Sequence, residues 1–135
     1  MVREAMIEWH VKDTLLGYLQ RNRDFRVDAA GGAEFTGTAV RLPAVVRDDG
    51  AVEATGRIAL SAHGGALSLG LVGAVVRDGA LWIDDPLEEA DKRRLVELTE
   101  TADGYETRLA ADADILFLYA YLAGTPFGSL RVVSG

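Results

Sequence analysis

The first regular pattern along the chain is helical. Between residues 11 and 22 apolar side chains recur at three- and four-residue steps, which places them on one face of a helix. We expect this face to be buried, and the ring of Tyr18 with it. Gly17 weakens the helix by about 1 kcal/mol relative to alanine, so something is expected to approach the backbone there. The apolar positions are Val11, Leu15, Leu16, Tyr18 and Leu19.

Through the middle of the chain, residues 25–84, apolar and polar positions alternate with a period of two, which is typical of strands with one buried face. Residues 57–63 put the larger apolar side chains on one face and His63 on the other. The alternation resumes at residues 67–73, after Gly64-Gly65, so the two segments are predicted to form a hairpin.

Two Asp-Gly pairs are further hairpin signals. Asp78-Gly79 precedes a short apolar segment, and Asp103-Gly104 lies between strands predicted at residues 94–101 and 105–109. The charged run of residues 88–94, EEADKRR, is predicted to be a solvated loop over the surface.

A second helical pattern lies near the end of the chain, over residues 112–122, and stops at Gly124 and Pro126. We therefore predict a single domain over residues 1–135. It is mainly β, an antiparallel β sandwich or open barrel with a helix near each end, and so α+β in the wider sense. Such folds often keep a cavity between sheet and helix, which is where a binding site is expected.

The composition narrows the function classes. The 135 residues include no cysteine, which excludes disulfides, thiolate metal sites and iron–sulfur clusters. A formal net charge of −7 makes the protein acidic and argues against a nucleic-acid partner. No apolar run is long enough to span a membrane. Glu4 and Glu8 interrupt the stretch that a signal peptide would keep apolar, so we expect a cytoplasmic protein.

No enzyme of a familiar type is visible in the motifs. The chain has two histidines, His10 and His63, too few for a closed zinc site without cysteine. It has neither a phosphate-binding glycine loop nor a Gly-x-Ser-x-Gly elbow. Three carboxylate pairs lie at turn signals, where solvation and turn formation explain them. They are Asp48-Asp49, Asp84-Asp85 and Glu88-Glu89.

Tyr18 and His63 remain, and their local patterns favour structural roles. On periodicity alone, Tyr18 is a core tyrosine whose hydroxyl bonds a backbone carbonyl. His63 is a half-buried histidine at the end of a strand. Neither position by itself indicates a ligand.

Three spaced motifs resemble the HtaA domain of bacterial haem uptake. They are the W-x-V-K…Y opening from Trp9 to Tyr18, the H-x-G-A-L turn at residues 63–67 and the Y-x-A-G-T-P close at residues 121–126. The similarity runs from Trp9 to about Val133, which is nearly the whole chain. It implies a mainly antiparallel β fold with helices at one side, and a haem-binding function.

Position by position, the resemblance implies that Tyr18 is the axial ligand of the haem iron and that His63 supports it, with Tyr121 in the same region. A phenolate is a hard anionic oxygen, which suits haem b in its ferric state. A free phenol has a pKa of about 10, so it needs the metal and a hydrogen-bond donor to ionise at neutral pH, and His63 would be that donor. The candidates to pair with the haem propionates are Arg21, Arg23 and Arg57.

Two other functions stay open. A small β-barrel cyclase, isomerase or carrier for a hydrophobic metabolite would use the same cavity, with Tyr18 and His63 as a proton-transfer pair in an enzyme. A plain interaction module with a filled core would use neither residue. Haem binding is the leading hypothesis because the three spaced motifs together support it. Within that hypothesis capture, storage and transfer of haem stay open, as does a homodimer.

Overall fold

The computed structural model describes residues 3–62, 67–117 and 121–134, and of Leu67 the backbone alone. The predicted mainly β fold with a helix near each end is confirmed. The helices are α1 (Asp13–Gln20) and a 3₁₀ helix (Ala111–Phe117). The strands are β1 (Arg3–Val11), β2 (Arg26–Ala30), β3 (Glu34–Phe35), β4 (Val40–Val46), β5 (Val52–Ala54), β6 (Arg57–Ala62), β7 (Leu67–Leu71), β8 (Val75–Arg77), β9 (Ala80–Asp84), β10 (Lys92–Thr101), β11 (Gly104–Leu109) and β12 (Pro126–Ser134).

Eight of the described strands close into an antiparallel barrel, in the order β1, β12, β11, β10, β9, β8, β5 and β4. β1 completes the circle because it pairs with β12 on one edge and with β4 on the other. Neither edge of β1 is therefore left with the row of unpaired backbone groups that an edge strand exposes. β3 extends the sheet beyond β4, and β2, β6 and β7 form a separate three-stranded sheet.

β1 alternates between buried and more exposed positions, with Ile7, Trp9 and Val11 among its buried residues. The Trp9 indole nitrogen donates to the hydroxyl of buried Thr107 at 3.4 Å, and that hydroxyl donates to the Gly128 carbonyl at 3.0 Å. Both polar groups are thus satisfied inside the core. No strand is predicted here from the sequence pattern, so β1 is a finding of the structure.

The hairpin predicted for residues 57–73 is confirmed as β6 and β7. Ile58 and Leu60 are buried on the face turned to the core, whereas partly exposed Ala59 lies opposite Gly70 on the other face. Each residue of β2, which flanks β6, is exposed. β6 and β7 therefore cover the core with one face, and the opposite face of the sheet is accessible and carries small residues together with charged side chains of β2 and β6.

The late helix differs from its prediction. In place of an α helix over residues 112–122, the described part is the 3₁₀ helix, and Tyr121 and Leu122 are not helical. Asp112 and Asp114 give this segment a low helix propensity, because short acidic side chains compete for backbone hydrogen bonds.

The charged run of residues 88–94 is only in part a surface loop. Its last three residues begin β10. Lys92 donates to Asp84 on β9 at 2.8 Å and to the Gly73 carbonyl at 2.6 Å, which ties this end of β10 to its neighbours. The prediction of a fully solvated run is therefore wrong.

The seam between β1 and β12 depends on Gly128, which has a φ of 103° and lies against the His10 carbonyl, so that an added Cβ would overlap it. We expect Gly128→Ala to lower the free energy of unfolding by about 3 kcal/mol or more, from backbone strain and overpacking together. Gly50→Ala is the control, since Gly50 also has a positive φ of 89° but open space around it. It should lose about 1–2 kcal/mol. If urea unfolding showed equal losses of stability in Gly128→Ala and Gly50→Ala, the close contact between Gly128 and β1 would not explain the effect.

Candidate functional site

α1 presents Tyr18 at the boundary between its buried face and solvent. Leu15, Leu16 and Leu19 are buried, while the Tyr18 side chain is 43% exposed. The prediction of an inward ring is therefore wrong. At about 100° per residue, Tyr18 lies about 60° from Leu15 on the side away from Leu16, and so outside the buried stripe. An aromatic ring with a polar tip suits such a boundary.

The helix that carries Tyr18 packs against β6. The last described pairs of the hairpin before its turn are Ser61 with Ser68 and Ala62 with Leu67. His63 follows Ala62 directly and lies outside the described residues. The pairing of Tyr18 with His63 thus stays a prediction, although the strand that leads to His63 touches the helix that carries Tyr18.

Tyr121 lies in an aromatic cluster next to the start of α1. Its half-buried ring stands edge-on to Phe117 and Phe127, with ring centroids 6.1 Å and 5.4 Å away. Lys12, the residue before α1, has its Nζ atom 6.0 Å from the Tyr121 ring centroid. The structure therefore brings the Tyr121 segment to the same end of the fold as α1.

An apolar cleft of about 390 Å³ lies between β7 and the 3₁₀ helix. Gly70 and Val72 line one side, and Ile115 and Leu116 line the other. Phe117 also lines the cleft, so the aromatic cluster around Tyr121 continues into it. A cleft of this lining binds apolar surface and offers few polar groups to fix a ligand's orientation.

A depression of about 370 Å³ lies on the exposed face of the three-stranded sheet. Arg57 and Asp28 supply its charged lining, and Val72 belongs to both this depression and the apolar cleft. Arg57 makes no ion pair with any described residue. The register places Arg26 opposite Ser61, hence on the same face as Arg57.

Arg26 is a residue that the sequence interpretation missed. The period-two pattern of residues 57–63 could have indicated it. A strand that pairs with this segment places every second side chain on the face that carries Arg57, and Arg26 is one of these. Arg21 and Arg23 are also exposed, in the turn region that follows α1.

A buried ion pair lies beside the apolar cleft, between the loop after β9 and the 3₁₀ helix. Arg93 donates through Nε to Asp85 Oδ1 at 2.7 Å, and Asp85 also accepts backbone N–H bonds from Leu87, Glu89 and Ala90. The Arg93 guanidinium, followed by these N–H groups, holds the pKa of Asp85 well below its usual range. The Asp85 side chain is only 1% exposed, so the prediction that this carboxylate is solvated is wrong.

Arg93 also reaches the 3₁₀ helix, donating through Nη1 to the Asp112 carbonyl. One guanidinium thus joins the loop after β9, where Leu87 lines the cleft, to the helix that forms the opposite wall. This link holds the 3₁₀ helix to the loop after β9.

Two classes of site find no support. Among the described residues no three His, Asp or Glu side chains lie close enough together to hold a metal ion. In the same part of the chain, no helix has the length and apolar character to cross a bilayer.

The fold is similar to that of three solved structures. The haem-binding protein HtaB from Corynebacterium glutamicum superposes with a TM-score of 0.72 at 19% identity, over 100% of this chain and 96% of that one. The C-terminal domain of HtaA from the same organism gives 0.71 at 16% identity over 98% and 96%, and the N-terminal domain gives 0.70 at 14% over 99% and 98%. No protein-family model and no curated protein matches the sequence. The chain therefore has an HtaA-like fold.

The Asp85–Arg93 pair makes stability depend on pH. Because the pKa of Asp85 is lowered by folding, its contribution is present above the ordinary carboxyl pKa of about 3.9 and is lost as the pH falls towards the folded value. We expect Asp85→Asn to be less stable than wild type at pH 7 and to lose less stability between pH 7 and pH 3. Urea unfolding at both values measures this. Asp103→Asn, at an exposed turn, should behave as wild type. If Asp85→Asn lost as much stability as wild type between pH 7 and pH 3, the assignment of this pH dependence to Asp85 would be contradicted.

Proposed function

We propose that this protein binds ferric haem b, with Tyr18 as the axial ligand of the iron. The observation that carries the proposal is the position of Tyr18, which α1 holds at the surface beside β6 instead of in the core. The HtaA-like fold supports it, since a protein with this fold is a haem-binding protein.

The described residues fit such a ligand in chemistry. A phenol oxygen supplies a hard anionic donor, and haem brings a ferric iron that prefers it. Apolar surface for the macrocycle is present in the cleft between β7 and the 3₁₀ helix. The half-buried Tyr121 ring, which stands edge-on to Phe117 of the cleft lining, lies beside Lys12 at the start of α1.

His63 would support the ligand rather than bind iron itself. It follows β6, which packs against α1, and it would donate a hydrogen bond to the Tyr18 oxygen and so stabilise the phenolate. A supporting donor tunes and orients a ligand, so its loss should weaken binding without abolishing it.

Arg57 and Arg26 are the cations available to the haem propionates on the exposed face of the three-stranded sheet. Neither forms an ion pair within the described part of the chain. A guanidinium binds a carboxylate through two parallel N–H bonds, so these side chains can select the acidic edge of the ligand.

Haemin titration followed in the visible spectrum tests the proposal. Wild type should shift the Soret band with saturable binding, and Tyr18→Phe should weaken binding by about 100-fold or more, because the axial ligand is lost. His63→Ala should weaken it by about 10- to 100-fold. Tyr105→Phe is the matched control, on β11 and outside the cleft, and should bind as wild type.

Two results would contradict the proposal. One is the absence of any Soret shift with wild type. The other is full affinity in Tyr18→Phe, which would assign the iron to another residue.

A further inference from the structure

Two glycines in the described part of the chain are not explained by the fold. At most of the other glycines, φ is positive, which favours glycine over residues with a Cβ; at Gly56 an added Cβ would come within about 3.0 Å of the backbone. Gly17 and Gly70 have neither property: φ is not in the left-handed region, and no described atom lies within 4 Å of where a Cβ would be. Both lie inside regular elements, where glycine is unfavourable.

Gly17 lies on the partly exposed side of α1, immediately before Tyr18. The expectation that something approaches it closely is not met by any described part of the protein. Alanine would fit the helix better, because it loses less conformational entropy on folding. Among the described residues, none fills the space beside the α1 backbone next to the proposed iron ligand.

Gly70 lies in the interior of β7, opposite Ala59, and lines the apolar cleft. A β-branched residue would suit a strand better and would add apolar surface. Such a side chain would project into the cleft or over the small residues of the neighbouring strand. At this second position too, the described part of the chain leaves space where a larger residue would stabilise the strand.

We propose that Gly17 and Gly70 give the haem macrocycle clearance, so that its flat surface and edge approach the backbones of α1 and β7. They thereby favour a rigid planar ligand, since a flat ring system can approach an uncovered backbone closely, whereas a side chain at either position would hold it away. The inference rests on the proposed haem function and adds to it two residues that determine specificity without coordinating the metal.

The test compares the stability of the ligand-free protein with haemin affinity in the same variants. Gly17→Ala and Gly70→Val should each raise the urea midpoint of the ligand-free protein, because they remove a flexible residue where the backbone tolerates a Cβ. Each should weaken haemin binding by at least tenfold, because the new side chain occupies the clearance. Gly70→Ala should show a smaller loss than Gly70→Val, since the obstruction grows with side-chain size.

Thr99→Val, at an exposed position on β10, is the control for an added apolar side chain and should leave haemin affinity unchanged. Stabilised variants that bind haemin as tightly as wild type would overturn the clearance proposal while leaving haem binding intact. Destabilised variants would overturn it too, because the fold would then need the glycines. If wild type binds no haemin, both proposals fall.

Discussion

The double pairing of β1 is the constraint on which the rest of the structure depends. β1 hydrogen-bonds to β12 along one edge and to β4 along the other, so its backbone is held on both sides. α1 begins two residues after β1 ends, and the buried leucines of α1 pack into the same core. The position of Tyr18 is therefore set by the closure of the barrel, not by the helix alone.

The three-stranded sheet and the 3₁₀ helix form the rest of the proposed site, around the Tyr18 that β1 and α1 position. β6 and β7 pack one face on the barrel core, and the opposite face of the sheet is open. The 3₁₀ helix is held by Arg93, which is bound at the same time to buried Asp85. Removing one member of such a pair leaves an uncompensated charge, so the pair also makes the cleft wall sensitive to substitution.

Much of the fold follows from the sequence because period-two and helical patterns are local. The hairpin of β6 and β7, the Asp78-Gly79 turn and α1 are all visible in this way. β1 is not predicted from the sequence although its buried residues alternate with more exposed ones such as Glu4 and Glu8. Its burial depends on partners more than thirty residues away in the chain, which a local pattern does not contain.

The candidate site was harder to predict. Motif spacing proposes Tyr18 and Tyr121 as candidates, and that proposal stays a prediction; the exposure of Tyr18 depends on how a stripe of three leucines meets the core. Asp85 looked like an ordinary turn carboxylate, and only the strand register brings Arg93 beside it. His63 lies outside the described residues, so its role stays a prediction, as do a cytoplasmic location and a homodimer.

The most direct test of the central claim is an experimental structure of the protein bound to haemin. Our account predicts that the Tyr18 oxygen lies within bonding distance of the iron, with His63 hydrogen-bonded to that oxygen and the macrocycle against Gly17 and Gly70. An iron bound by a histidine, or a haem seated away from α1, would contradict it.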